Sequence, residues 1–491
     1  MSRTIRFVDQ TLRDGQQSWW GMRMPFAISM ALAGDLDSAG YDELDITGSS
    51  LFEIQVRHCK EDPWENLRNL AAAMPRTKLR AGTRSNGIVT FNLTPDAVMD
   101  LWIQRLAANG IRAFWIYDGL FNVDKIGRLA KVAKAAGCDA VPTMLFSSSP
   151  YHTDEYYAAR AKELAALDVP GIEIEDASGV LTPDRTRSLC KVVKKAIGKK
   201  RLELHFHNNT GLAPLNYLEG LEQGADTIHT ICRPLANGVA HPSTEAMLRN
   251  IAAKGWSSKV DLSVIERISG KLKAIAEQEN LPIGQPAEYD LFHYEHQLPG
   301  GMTGTLKNQL KDRGIEASLP AILEEIATIR RELGYPVMAT PFSQLIGTQA
   351  VMNLMTPGER YKFVPDEIIT YVLGHYGKPV APLDENAKDR ILSNARAKDF
   401  VNWTPPQPSL DELRKSFGGN ISDDDLILRL LVPEKEIAAM RAAGPPKRDY
   451  QIKGVKSGAV ALIERLMNQP HGNHIDFENA DFSISLGRSA A

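Results

Sequence analysis

The sequence has 491 residues, 43% hydrophobic and 24% charged, with a net charge of −3, which is the make-up of a folded globular protein with room for two or three domains. Lys and Arg are scattered, so no basic surface points to nucleic acid or an anionic membrane, and no apolar run approaches the roughly 18 residues of a membrane span. Cys59, Cys138, Cys190 and Cys232 lie far apart with no CxxC pair, which argues for reduced thiols and against a disulfide frame or a thiolate metal site.

The first β-prone run, TIRFVDQ (4–10), has no charged and apolar leader before it, and a cytoplasmic protein is expected. DELDIT (42–47), KLRAGTR (78–84), AFWIYD (113–118) and DAVPTMLF (139–146) follow, then GIEIED (171–176), LELHFH (202–207) and TIHTIC (227–232). Amphipathic stretches such as TPDAVMDLWIQRLAANG (94–110) and VDKIGRLAKVAKAAG (123–137) separate them. These open on capping or acidic residues and stop at Gly, as helices do. Strand then helix, eight times over, predicts an α/β fold of the (β/α)8 TIM-barrel type. A doubly wound open sheet is the alternative, disfavoured by eight near-equal units and the lack of a GxGxxG turn.

Barrel enzymes work at the C-terminal ends of their strands. There the sequence places Asp14, Asp45, Arg84, Asp118, Glu175 with Asp176, and His205 with His207. His205 and His207 are two apart on a strand and so project from one face. With Asp14 and Glu175 they compose an N2O2 set for a divalent ion such as Zn, Mn, Co or Fe, with nothing in the sequence to choose among them. Open positions on such an ion polarise a carbonyl and stabilise an enolate. Arg13 adds positive charge there, or serves as an ion-pair partner of Asp14 or Glu53. Glu173 and Glu175 lie on the same strand face, and in a buried strand each needs a partner, a raised pKa or a metal.

DQTLRDGQQS (9–18), EDPWENL (61–67), NGIRAFWIYDGLFNVDKI (109–126) and LHFHNNTG (204–211) together resemble the biotin-dependent carboxyltransferases. These comprise the carboxyltransferase domain of pyruvate carboxylase, the oxaloacetate decarboxylase alpha subunit and the transcarboxylase core subunit. HQLPGGMTGTLKNQL (296–310), RRELGYPVMATPFSQLIGTQAV (330–351) and ERYKFVPDEIITYVLGHYG (359–377) extend the resemblance into the family's C-terminal helical carboxylase domain. The resemblance, which runs over roughly residues 4–400, implies a TIM barrel over 1–290 and a helical domain covering its mouth over 291–404. PPQP (405–408) marks a break before an extension with a tail over 405–491, read from the sequence alone as adding a strand or staying loose.

By the same resemblance Asp14, His205 and His207 are metal ligands, and Arg13, Gln17 and Arg84 hold the 2-oxo acid and its enolate. Asp118 is counted with the substrate site. Glu53 falls where the family keeps an Asp, and Phe91 where it keeps a Tyr. Glu175 replaces the family's lysine, whose CO2-derived carbamate ligates the metal. A ligand or water-bridged ligand is expected at Glu175, although its side chain is several atoms shorter. Glu173, deeper on that face, is read as structural, paired with a donor or protonated. Val239 replaces a threonine whose hydroxyl shuttles a proton between substrate and biotin. His241 replaces a glutamine and is read either as a substitute acid–base group or as a locally hydrogen-bonded loop residue.

No AMKM biotin-attachment motif and no Gly-rich ATP segment occur in the chain, so carboxybiotin is expected on a separate carrier, with a separate biotin carboxylase subunit. The implied activity is metal-dependent transfer of CO2 between carboxybiotin and a 2-oxo acid or similar enolisable carboxylic acid, by a homodimer. The alternative is a biotin-independent decarboxylase, C–C lyase or hydrolase on the same site. A scaffold without activity is disfavoured by the set Arg13, Asp14, Arg84, His205 and His207.

Overall fold

The computed structural model describes residues 3–89, 93–300, 302, 306, 310, 318–356, 358–453, 474–478 and 483–487. Eight parallel strands close into one barrel in chain order: β1 Arg6–Asp9, β2 Glu43–Gly48, β3 Lys78–Arg84, β4 Ala113–Tyr117, β5 Asp139–Leu145, β6 Gly171–Asp176, β7 Arg201–Phe206 and β8 Thr227–Thr230. β8 pairs with β1 in the register Arg6↔Thr227 to Asp9↔Thr230, which closes the cylinder. The TIM barrel expected from eight strand–helix units is the fold.

Helices fill the outer ring because their ends are specified locally. The side chains of Asp62, Thr153, Thr182 and Ser243 each accept a first-turn backbone N–H of the helix that follows, satisfying donors that the helix cannot pair itself.

The apolar interior forms two clusters. One lies between barrel and outer helices and includes Phe7, Leu44, Phe114, Ile174 and Leu204. The other joins Leu298, Ile326, Phe342, Ile346 and Tyr371 of the helical segment that follows the barrel, and reaches the barrel through Leu145. This second body sits against the strand ends. Phe342 packs so close to Gly119, just beyond β4, that no Cβ fits there, and Tyr117 Oη donates to Thr340 O at 3.4 Å.

Beyond residue 405 the chain returns to the barrel flank. Leu426, Ile427 and Ile437, from the helices Asp423–Leu431 and Glu434–Ala443, join the barrel core. Trp64 Nε1 donates to Asp424 O at 3.0 Å, and Arg105 Nε pairs with the Asp424 carboxylate at 2.8 Å. β9 (His474–Glu478) and β10 (Ser483–Gly487) form a two-stranded antiparallel sheet. Among the described residues, no helix is long and apolar enough to cross a membrane.

Candidate active site and metal centre

The barrel axis carries two polar layers. The deeper is centred on Arg80, from β3 and fully buried. Its Nη1 reaches Glu203 Oε2 at 2.7 Å and Glu43 Oε2 at 3.1 Å, and its Nη2 pairs with Glu173. Burial alone favours the neutral forms here. The three acids outweigh it and raise Arg80, Arg80 outweighs it at Glu203 and lowers that acid, while at Glu173 burial prevails and the pKa rises. Glu173 is therefore structural, and its partner is Arg80.

His229, on β8, links this layer to the one above. Its Nε2 faces Glu203 and Glu173 at 3.5 and 3.6 Å. Its Nδ1 lies 3.0 Å from Gln10 Nε2 and 2.9 Å from His205 Nδ1. Gln10 Nε2 can only donate, so His229 Nδ1 accepts and its hydrogen sits on Nε2. Burial holds the His229 pKa down to about 3. His205 then carries its hydrogen on Nδ1, and its Nε2 lone pair points up.

The upper layer brings together Asp14, His205, His207 and His241, whose ligand atoms all lie within 4.8 Å of one another. Asp14 and Arg13 sit in the single turn Thr11–Gly15 directly after β1. Arg13 is clamped from several sides: Nη1 is 2.8 Å from Asp14 Oδ2, Nε donates to Gln10 Oε1 at 3.1 Å, and the guanidinium lies 4.9 Å over the Trp115 ring. Burial disfavours the Asp14 carboxylate, but Arg13 and His207 outweigh it and hold its pKa well below the usual range. Burial likewise opposes charge on His207, yet Asp14 lifts that ring to about 9. His205 and His241 are lowered by burial and by neighbouring imidazoles, His241 to about 4.

A second trio, Glu173, His205 and His229, is also within ligand distance. There Arg80 already supplies the cation to Glu173.

Between the upper layer and the helical body lies a cavity of about 860 Å³. Arg13, Asp14, Gln17, Arg84, Glu175 and His207 line its barrel side, while Met302, Thr340 and Ser343 line the other. Arg84 ends β3, buried, and donates from Nη2 to Ile88 O at 3.0 Å. Gln17 is exposed to the cavity from the next turn after Asp14.

Several sequence expectations meet a different geometry. Glu175 lies on the cavity wall and outside the ligand cluster, its short side chain leaving the carboxylate beside the cluster instead of in it. Burial raises its pKa to about 7, and Oε2 has no hydrogen-bond partner among the described residues. His241 is fully buried with Nε2 turned into the cluster and is not a cavity-wall residue, so it is not placed to exchange protons with a substrate. Glu53 pairs with Arg57 at 2.7 Å one helical turn away and does not line the cavity. Asp118 accepts from Ser85 Oγ and from the Leu120 N–H at 2.8 Å, which fixes the turn after β4. Phe91 lies outside the described residues. Arg80, Trp115 and His229 were not singled out from sequence. A lone Arg or His inside an apolar strand is the signal that marks Arg80 and His229.

Residues 294–461 match the conserved carboxylase domain family and residues 122–271 the HMGL-like family. A pyruvate carboxylase subunit of Methanocaldococcus jannaschii is 34% identical over 79% of this chain and 68% of its own length. The methylmalonyl-CoA carboxyltransferase 5S subunit of Propionibacterium freudenreichii subsp. shermanii is 27% identical over 93% of this chain and 92% of its own. In structure, the carboxyl transferase domain of Rhizobium etli pyruvate carboxylase, solved with pyruvate, superposes with a TM-score of 0.81 at 22% identity, covering 91% of this chain and 78% of that one.

Proposed function

Because the chain belongs to the biotin-dependent carboxyltransferase family, we propose that it moves CO2 between carboxybiotin, delivered on a separate carrier protein, and a 2-oxo acid. The observation that carries this reading is the cavity, which puts the guanidinium groups of Arg13 and Arg84 and the edge of an imidazole–carboxylate cluster on one wall. The cluster suits a divalent ion: the Nε2 atoms of His205 and His241 are buried and have no hydrogen-bond partner among the described residues, as atoms reserved for a cation would be. Asp14, His205 and His207 are the residues that would hold it. When bound, the ion supplies Lewis-acid polarisation of a substrate carbonyl.

The chain's own residues do the rest. Arg84, kept in place by the Ile88 carbonyl, pairs with the substrate carboxylate in a charge-assisted contact. Arg13, locked by Asp14, Gln10 and Trp115, presents a fixed positive charge to the oxygen on which negative charge develops. Its Nη2 is buried with no hydrogen-bond partner among the described residues, which leaves that donor for the substrate. Gln17 offers an amide to the same region. In the reaction the N–CO2 bond of carboxybiotin breaks. The acceptor loses a proton from the carbon beside its carbonyl, that carbon bonds to CO2, and the proton ends on the biotin nitrogen. The apolar side chain of Val239 cannot carry that proton. Val239 instead contributes its carbonyl, which accepts from His207 Nδ1 at 2.7 Å.

Val239 also supports a second reading, biotin-independent decarboxylation in the same cavity. CO2 release from oxaloacetate and other β-carboxylated 2-oxo acids by the metal-loaded protein, with and without free biotin, separates the two. Release that rises with biotin is the expected result. Equal release without it would move the assignment to the decarboxylase.

A further inference from the structure

We propose that the metal centre is a three-imidazole, one-carboxylate site in which His241 is the fourth ligand and Glu175 is not a ligand. This rests on the reading that the barrel holds a divalent ion, and it adds which side chains complete the site.

The distances carry the assignment. The Nε2 atoms of His205, His207 and His241 lie 3.6, 3.4 and 3.6 Å from the same oxygen, Asp14 Oδ2. Those spacings are long for hydrogen bonds. They match the edge of a tetrahedron built on metal–ligand bonds of about 2.1 Å, whose corners are about 3.4 Å apart. Three imidazoles meet one carboxylate oxygen at nearly equal separations, and the four ligand atoms all lie within 4.8 Å of one another.

The outer nitrogens point the same way. His207 Nδ1 donates to Val239 O at 2.7 Å, His241 Nδ1 donates to Phe206 O at 3.0 Å, and His205 Nδ1 donates to His229 Nδ1 at 2.9 Å. Each ring thus has its Nδ1 hydrogen committed outward and its Nε2 turned inward, the orientation that metal-ligating histidines use, and at His207 a bound cation would take the place of the Nε2 proton. Asp14 Oδ1 accepts from Ser18 Oγ at 2.8 Å, while Oδ2 faces the three imidazoles and also pairs with Arg13 Nη1 at 2.8 Å, so an ion would share that oxygen with the guanidinium.

The cross-links explain why His241 reaches the cluster from a loop. Asn208 N donates to Ala240 O at 2.9 Å and Asn237 N to His241 O at 2.7 Å, so the segment after β8 is folded back onto the end of β7. Side chains alone therefore close the site, and metal retention does not depend on dissolved CO2 or bicarbonate. Glu175 stays on the cavity wall as a carboxylate that the ion does not occupy.

The test uses the full chain loaded with Co(II), which reports on its ligands without any turnover. Wild type is expected to bind one Co(II) per chain and to show three exchangeable, hyperfine-shifted imidazole N–H resonances, one per ligating ring. Affinity is expected to be the same in CO2-free buffer and in bicarbonate. His241→Gln is expected to lose one resonance and at least about 100-fold in affinity, above the range for loss of an outer partner. Glu175→Gln is expected to keep all three resonances and bind within about threefold of wild type, below the roughly 10- to 100-fold loss typical of an outer partner. Two resonances in wild type would overturn the assignment even if His241→Gln fails to fold, and leave the metal-dependent reading intact. Loss of Co(II) from Glu175→Gln would overturn it as well. A wild-type protein that binds no Co(II) would overturn both.

Discussion

Replacing Arg80 with methionine removes the fully buried cation of the deeper polar layer while keeping most of its volume, and leaves the half-buried Arg201, 3.1 Å from Glu203 Oε1, at its edge. Arg80 is fully buried and meets Glu203, Glu43 and Glu173 directly. Burial already raises Glu43 and Glu173, so they take up protons readily, whereas Arg80 is what keeps Glu203 ionised. Without Arg80, Glu203 keeps only the half-buried Arg201 as a cationic partner, and the full effect of its burial is neutralisation. From an unfolded pKa of 4.5, that costs about 3.4 kcal/mol at pH 7, at 1.36 kcal/mol per unit. Loss of the hydrogen bonds adds to this, and breaking a buried ion pair from one side costs roughly 3–5 kcal/mol in general. The expected loss is therefore about 4 kcal/mol, read from urea unfolding followed by circular dichroism. The sign with pH is fixed as well. In wild type the depressed Glu203 pKa stabilises the protein above pH 4.5 and that contribution fades on acidification. Between pH 7 and pH 5 wild-type Glu203 is ionised folded and unfolded, whereas in Arg80→Met the folded acid is neutral and the unfolded one ionises above 4.5, so the deficit should shrink by about 2.6 kcal/mol over that range. Adding Glu203→Gln to Arg80→Met should recover stability. A loss below about 1 kcal/mol at pH 7, or one independent of pH, would refute the claim that Arg80 neutralises this layer.

Two further outcomes are expected. Arg84→Gln should raise KM for the 2-oxo acid by roughly 10- to 100-fold with a smaller change in kcat, since a charged contact worth about 1.5–3 kcal/mol is lost; a KM within twofold of wild type would remove Arg84 from substrate binding. His152 is buried, and burial followed by Arg330 and Arg185 holds it to about 3. The unfolded chain thus binds a proton that the folded one refuses between about pH 6.5 and 3, and stability falls as pH drops through that window. From pH 7 to pH 5 wild type should lose about 2 kcal/mol more than His152→Gln in urea unfolding, and parallel pH profiles would show that the ring is not held neutral.

The barrel was legible because its eight strands are short β-prone runs at near-equal spacing, and the TIHTIC run stands where β8 closes on β1. His205 and His207 were legible as a pair because a strand repeats its face every two residues. His241 was not, since its position depends on a loop folded back by the Asn237 and Asn208 backbone bonds, and no periodicity encodes that. Glu53 and Asp118 have local contacts that strand position does not reveal. Both stand near strand ends, but each is spent on a local contact, with Arg57 and with Ser85 and Leu120. The helices that carry Leu426 and Ile437 are written as ordinary amphipathic segments; only packing shows that they cover the barrel flank.

Glu173 and Glu175 show why residue type and strand face are not enough. They are two residues apart on β6, hence about 6.6 Å along the strand at its usual rise. That step carries the carboxylate from the plane of Arg80 to the wall of the cavity. At the lower level a resident guanidinium fills the charge requirement, and the acid is structural. At the upper level Asp14 has already taken Arg13, and three imidazoles face Asp14 Oδ2. The second carboxylate is then surplus to the cluster, and its Oε2 has no hydrogen-bond partner among the described residues. Depth along the barrel axis decides which acid is consumed by the fold and which is left facing the substrate cavity.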